Sequence, residues 1–209
     1  MCFDVTAKPP AIPAELLKNP SRTWTEELIL DGAQATFQAF IAQADAPSGP
    51  AVVVLPDIRG LFEYYKRLAV AFAEAGHHAI AIDYFGRTAG TGDRSDDFDQ
   101  MAHIKQTTPE DIRADAAVAL AHLRSRTGTD EVVTVGFCFG GSQSYLATTD
   151  SSLRLAGAIA FYGGLDATRL GVYPDPASKA PEMTGPILAL YGGATRPSRR
   201  NWCRISIAR

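Results

Sequence analysis

Histidine runs out early in this chain: only four occur among 209 residues, and none follows His122. Cysteine is as sparse. Cys2, Cys138 and Cys203 form an odd, widely spaced set, from which neither a disulfide framework nor a zinc-ligand spacing can be drawn. No segment approaches the ~18 consecutive apolar residues of a membrane span. Residues 1–13 lack both the basic and the apolar region of a secretory leader. A net charge of −3 is far from the positive excess of a nucleic-acid or anionic-membrane binder. Internal repeats and low-complexity tracts are absent as well. The remainder is 46% hydrophobic and 21% charged, which is the composition of a globular domain, and the length suits one with a full core. A cytoplasmic protein with no membrane or nucleic-acid partner is expected.

Several apolar runs predict strands. Thr23 to Leu30 alternates and ends at Asp31-Gly32, a hairpin signal, with Thr36 to Ala42 as its partner. Ala51 to Leu55, His78 to Ile82 and Val132 to Val135 are continuous apolar stretches, the mark of strands covered on both faces. Leu155 to Tyr162 and Pro186 to Tyr191 are two more, each followed by Gly-Gly. Between them, Tyr65, Leu68, Ala69, Phe72 and Ala75 recur at helical spacing before Gly76. Thr108-Pro109-Glu110-Asp111 reads as an N-cap, a Pro at N1 and an acid at N3. The helix it opens carries Ile112, Ala116, Ala119, Leu120 and Leu123 on one face and ends near Gly128. Tyr84 to about Thr107 is expected to be a loop, with His103 in it. The cluster Asp93, Asp96, Asp97 and Asp99 lacks EF-hand spacing and reads as a solvated part of that loop, so no metal site is expected. Strands alternating with helices imply an α/β fold with a doubly wound, mostly parallel sheet, opened by an antiparallel hairpin.

The chemistry concentrates at Val132-Val133-Thr134-Val135-Gly136-Phe137-Cys138-Phe139-Gly140-Gly141. A β-branched run enters Gly-x-Cys-x-Gly-Gly and gives way to helix-compatible Ser142 to Ala147. This is the pattern of a nucleophile elbow, a sharp strand-to-helix turn that lifts its central residue. A thiol there is an apt nucleophile as its thiolate, and the positive end of the following helix favours that form. The bland alternative is a buried, inert cysteine.

With these segments in place, the chain resembles the dienelactone hydrolase family of the α/β-hydrolase fold over about residues 24–194. The resemblance rests on Pro56-Asp57-Ile58-Arg59-Gly60, Asp83-Tyr84-Phe85-Gly86-Arg87 and the Cys138 elbow, with Phe161-Tyr162-Gly163-Gly164 and Leu190-Tyr191-Gly192-Gly193 in support. It implies a cofactor-independent hydrolase of small lactones or esters acting through a Cys138 acyl-enzyme. It also implies oxyanion-hole N–H donors from Phe139 and Ile58. Asp57 stands where the family often has Glu, a carboxylate that helps hold and release the resting thiol. Arg87 matches a position that can hold a substrate carboxylate; the alternatives are a loop-capping Asp and a surface Arg.

The resemblance also implies an acid and then a histidine after the nucleophile. Thr195 stands at the acid's position, and no histidine follows. His77 and His78 open a strand at the wrong edge of the sheet, and His122 lies within a helix. Residues 196–209 hold five of the chain's 15 arginines, and no acidic residue occurs after Glu182. One reading is a basic tail for an acidic partner; the favoured one is an out-of-frame ending. The expected organisation is therefore an N-terminal extension (1–22), an incomplete hydrolase domain (23–193) lacking its last strand and helix, and an aberrant tail (194–209). Impaired activity is expected, the alternative being a catalytically silent ligand-binding or redox-responsive thiol protein.

Overall fold

A strand without a polar residue has to be covered on both faces. The computed structural model places Ala51–Leu55 (β3), fully buried, in the middle of a seven-stranded mixed sheet. The structure describes residues 6–15, 17, 20–94, 97–166 and 176–192. The remaining strands are Thr23–Asp31 (β1), Thr36–Ala44 (β2), Ala79–Ile82 (β4), Val132–Phe137 (β5), Gly157–Phe161 (β6) and Ile187–Leu190 (β7), in the spatial order β1-β2-β4-β3-β5-β6-β7. The expected hairpin is present: β1 pairs antiparallel with β2, and β2 antiparallel with β4. All pairings from β4 across to β7 are parallel.

Helices cover the two faces. Glu63–Glu74 (α1) packs Tyr64, Tyr65, Ala69 and Ala73 against Val52, Val54, Ala81, Val135 and Phe137. On the other face, Pro109–Thr127 (α4) packs its predicted apolar stripe against Ala51, Val53, Leu55, Ile80 and Ile82. It starts where its sequence signals it should: Thr108 accepts the Asp111 N–H at 3.1 Å, with Pro109 in the first turn. Phe139–Ala147 (α5) shares this face, and all nine of its residues are buried.

The expected loop from Tyr84 to Thr107 is a correction. It contains two short helices, Gly86–Ala89 (α2) and Gln100–Ile104 (α3). Neither is long enough to show a helical period, and α3 rests on a local cap, the Asp99 side chain accepting the Ala102 N–H. His103 therefore sits on a helix and not in a loop, its ring stacked on Phe98 at 4.9 Å.

Among the described residues β7 is the outer strand, with Leu188 (53% exposed) and Leu190 (37%) on one face and Ile187 and Ala189 packed on the other. Tyr191 ties it inward. Its hydroxyl donates to the Gly163 carbonyl at 2.7 Å, so Tyr145 is the donor in their 2.9 Å contact. The chain leaves β3 toward β4 on one side and returns to β5 on the other. The crevice beyond the carboxyl ends of β3 and β5 is thus the topological switch point, where α/β sheets bind ligands.

Candidate active site

The loops that leave β3, β4 and β5 meet at this switch point. The β5 loop is the tightest. Cys138 has φ 54° and ψ −112°, a region that costs a non-glycine residue about 1–3 kcal/mol and persists only where its surroundings over-determine it. Those surroundings are evident. A Cβ on Gly136 would lie 2.0 Å from the Gly140 carbonyl oxygen, and one on Gly140 would lie 2.0 Å from the Leu55 oxygen. Strand, elbow and helix thus approach each other to backbone contact, which is why the motif is Gly-x-Cys-x-Gly-Gly. The Cys138 N–H donates to the Phe161 carbonyl at 2.9 Å, and its own carbonyl accepts the Ser142 N–H at 3.2 Å. Cys138 carries a half-buried thiol at the N-terminus of α5. Tyr162, next after that Phe161, is also strained, at φ 42°.

The β3 loop is held at three points. The Asp57 N–H donates to the Tyr65 hydroxyl, the Tyr84 hydroxyl donates to the Pro56 carbonyl, and the Leu61 N–H donates to Asp83. Aromatic rings link these anchors to the elbow. Tyr65 lies 5.7 Å from Phe137, Tyr84 meets Phe139 edge-on at 5.4 Å, and Phe137 stacks on Phe161 at 4.8 Å. The loop that carries Ile58 is thereby fixed against the turn that carries Cys138 and Phe139. Leu55 pairs in parallel with Gly136, so the loop that carries Asp57 and the turn that carries Cys138 leave the sheet at the same end.

Asp57 is wholly buried and faces Arg59. Its carboxylate accepts the Arg59 backbone N–H at 2.9 Å and the guanidinium through Nη2 at 3.2 Å and Nε at 3.5 Å. Arg59 in turn lies 4.1 Å over the Phe62 ring. Below the loops, Asp83 accepts from Leu61 N–H, Phe85 N–H and both Nε and Nη2 of Arg94, a buried ion pair at 2.7 Å. The sequence reading passed over Arg59, Asp83 and Arg94. Two of them lie inside the segments it quoted, but their partners become visible only when loops from different strands meet.

Arg87 occupies the second position of α2. Its guanidinium makes two hydrogen bonds to Asp115, at 2.5 and 2.8 Å, and Nε lies 3.5 Å from Asp111. The Asp115 contact pushes the Arg87 pKa up. Burial pushes the Asp115 carboxyl up as well, offset by the bonds from Arg87. The histidines make contacts of their own. His77 contacts the Pro50 carbonyl, His78 accepts the Ala44 N–H, His103 stacks on Phe98 and His122 is within α4. Thr195, Cys2 and Cys203 lie outside the described residues, as do the boundary expected at residue 194 and the tail beyond it. Among the described residues no group of three or more potential metal ligands occurs, and no helix is long and apolar enough to cross a membrane.

Known proteins share this frame. A carboxymethylenebutenolidase of Rhodococcus opacus is 29% identical over 193 residues, covering 92% of this chain and 71% of its own. A Yersinia pestis protein provisionally assigned the same name is 29% identical over 160 residues. The alignment covers 74% of this chain and 60% of that relative, so the chain spans less than two thirds of that curated relative's length. Among solved structures, a provisionally assigned dienelactone hydrolase from Klebsiella pneumoniae superposes with a TM-score of 0.70. It is 24% identical and covers 82% of this chain and 73% of its own, a likeness of fold. The model of the dienelactone hydrolase family matches residues 37–200, and the chain belongs to that family.

Proposed function

We propose that this chain is a hydrolase of small lactones or carboxylic esters that acts through an acyl-enzyme on Cys138. The observation that carries the reading is the strained elbow, which holds a half-buried thiol at the N-terminus of a fully buried helix. That helix end favours the thiolate. The sulfur attacks the carbonyl carbon and forms a C–S bond, and the carbonyl electron pair moves to oxygen. The N–H groups of Phe139 and Ile58 are the donors offered to that oxyanion. Its collapse breaks the ester C–O bond, and the alkoxide leaves or, in a lactone, stays tethered to the acyl group. Water then attacks the thioester and returns the thiolate. Asp57, in the loop after β3, supports the resting site.

Each histidine is held by contacts of its own, His77 and His78 with backbone groups, His103 stacked on Phe98 and His122 within α4, and this reading lets the leaving alkoxide take its proton from water. Turnover should then fall on the order of 10⁴ to 10⁶ below that of a Cys–His–Asp site. The test is hydrolysis of p-nitrophenyl acetate by the chain and by Cys138→Ala, with mass spectrometry of the Cys138 peptide. An acetyl adduct and a signal lost in Cys138→Ala are expected; turnover that survives the substitution would exclude the cysteine route. The half-buried Cys138 thiol also suits a second reading, a redox-responsive thiol protein. Reversible peroxide oxidation of Cys138 with no ester turnover would select it.

A further inference from the structure

The end of β6 and the turn after it are clamped to the elbow, and one of the clamps comes from a third element. The Cys138 N–H donates to the Phe161 carbonyl at 2.9 Å. Gly163 lies on the first turn of α5, where a Cβ would stand 2.5 Å from the Gly141 carbonyl carbon and 2.7 Å from the Ser142 nitrogen. The Ser142 hydroxyl donates to the Gly164 carbonyl at 2.8 Å. The remaining clamp is on Gly163, whose carbonyl accepts the Tyr191 hydroxyl at 2.7 Å. Tyr191 directly follows β7, and its hydroxyl accepts that of Tyr145, on α5, at 2.9 Å. The relay therefore runs in one direction, from Tyr145 through Tyr191 to Gly163.

We propose that Tyr191 is a positioning residue for Cys138. By holding Gly163 against α5 it keeps the Phe161 carbonyl on the Cys138 N–H, and so keeps the thiol at the helix N-terminus. This rests on the reading of Cys138 as a thiolate nucleophile. Such a tie is needed because both sides of the contact are strained, Cys138 at φ 54° and Tyr162 at φ 42°. Neither conformation persists unless its surroundings over-determine it. The other clamps join the β6 turn and the elbow only to each other. Tyr191 adds support from β7, whose Leu190 carbonyl also accepts the Tyr162 N–H at 2.7 Å.

The two phenols act through geometry and not through charge. Burial pushes the pKa of Tyr145 and of Tyr191 above the usual tyrosine value, so both are neutral hydroxyls while the thiol titrates. Replacing either by Phe keeps the ring and alters no charge. The direction of the relay makes the two replacements unequal. In Tyr145→Phe, Tyr191 loses a donor but still holds Gly163, and at 40% exposure its hydroxyl can take a water instead. In Tyr191→Phe the Gly163 carbonyl is released and the buried Tyr145 hydroxyl loses its acceptor, which is costly. The double variant strands no hydroxyl but still leaves Gly163 untied. Stability and positioning thus separate.

The test is the rate of Cys138 alkylation by iodoacetamide as a function of pH, with the site assigned by mass spectrometry. It is run on the wild type, both single variants and the double variant, at a temperature where all four are folded, with the Tm of each. The midpoint of the profile reports how well the thiolate is stabilised, and the plateau at high pH reports access to it. In Tyr191→Phe the midpoint should rise by about 0.5 pH unit, the scale of a helix-end interaction, toward the ~8.5 of an ordinary thiol. In Tyr145→Phe it should stay near the wild-type value. In the double variant Tm should recover above that of Tyr191→Phe while the midpoint stays raised. A midpoint unchanged in Tyr191→Phe, or one that returns with Tm in the double variant, overturns the proposal. Ester turnover does not enter this measurement, so a chain that hydrolyses no ester loses the acyl-enzyme reading and leaves the positioning test intact.

Discussion

Asp83→Asn separates the frame of the site from its chemistry. Asp83 is wholly buried and never meets substrate in the mechanism above, yet its two oxygens hold the loops after β3 and β4 together. Asn has the same shape, and its carbonyl can still accept from Leu61. Its amide then faces the Phe85 N–H, donor against donor. The larger effect is on Arg94, which is 3% exposed and would be left as a buried cation without its counter-ion. Breaking one side of a buried pair costs roughly 3–5 kcal/mol, and the lost neutral hydrogen bond about 1 kcal/mol more. Against a net stability of about 5–15 kcal/mol this is a large fraction. In a domain of this size it corresponds to a fall in Tm of roughly 10–20 °C. Urea denaturation followed by circular dichroism would read it. Arg94→Met and the double variant complete a cycle, in which the double variant should be more stable than the sum of the singles predicts by at least about 2 kcal/mol, since it leaves no orphan charge. A loss below about 1 kcal/mol in Asp83→Asn, or strict additivity, would refute the claim that this pair anchors the loops.

Two further outcomes are expected. Gly140→Ala puts a methyl carbon 2.0 Å from the Leu55 carbonyl oxygen, so it should lower stability by at least about 1–3 kcal/mol, as overpacking does, and displace the elbow. Gly164→Ala, whose Cβ meets only the Ser142 hydroxyl at 3.6 Å, is the control, and equal melting of the two variants would contradict the crowding argument. Burial lowers the pKa of His78, whose Nδ1 accepts the Ala44 N–H. A folded pKa below the unfolded ~6.5 means its contribution is present above that pH and is lost as pH falls through the folded value. His78→Asn should accordingly lose less Tm than the wild type between pH 7.5 and 5, and parallel profiles would remove His78 as a source of acid lability.

Much of this fold is readable from the chain because its strands are buried on both faces. A run such as Ala51–Leu55 has no other stable place than the middle of a sheet, and its neighbours Ala79–Ile82 and Val132–Phe137 repeat the argument. The long helix α4 is equally legible, since Thr108 and Pro109 mark its start independently of its apolar stripe. The short helices α2 and α3 were not. A helix of four or five residues completes little more than one turn, so no periodicity can reveal it, and only the cap at Asp99 hinted at α3. Placing His103 in a loop was a consequence of that blindness.

The candidate site divides along a different line. Cys138 was legible because backbone crowding dictates glycine on both sides of it, and crowding leaves a mark in the local sequence. An arginine's task leaves no such mark. Arg59 and Arg87 each lie in a quoted loop segment after a buried strand, but only Arg87 was read from sequence as a cation of the site. What separates them is how many of their five N–H groups are already taken. For Arg87 that is decided by Asp115, 28 residues along the chain and on another helix. For Arg59 it is decided by Asp57, two residues away, whose carboxylate can reach only one edge of the fork. A short loop contact leaves a guanidinium half open, whereas a carboxylate delivered from a packed helix closes it. That difference is set by tertiary contact, so it leaves no mark in the local sequence on either side of the two arginines.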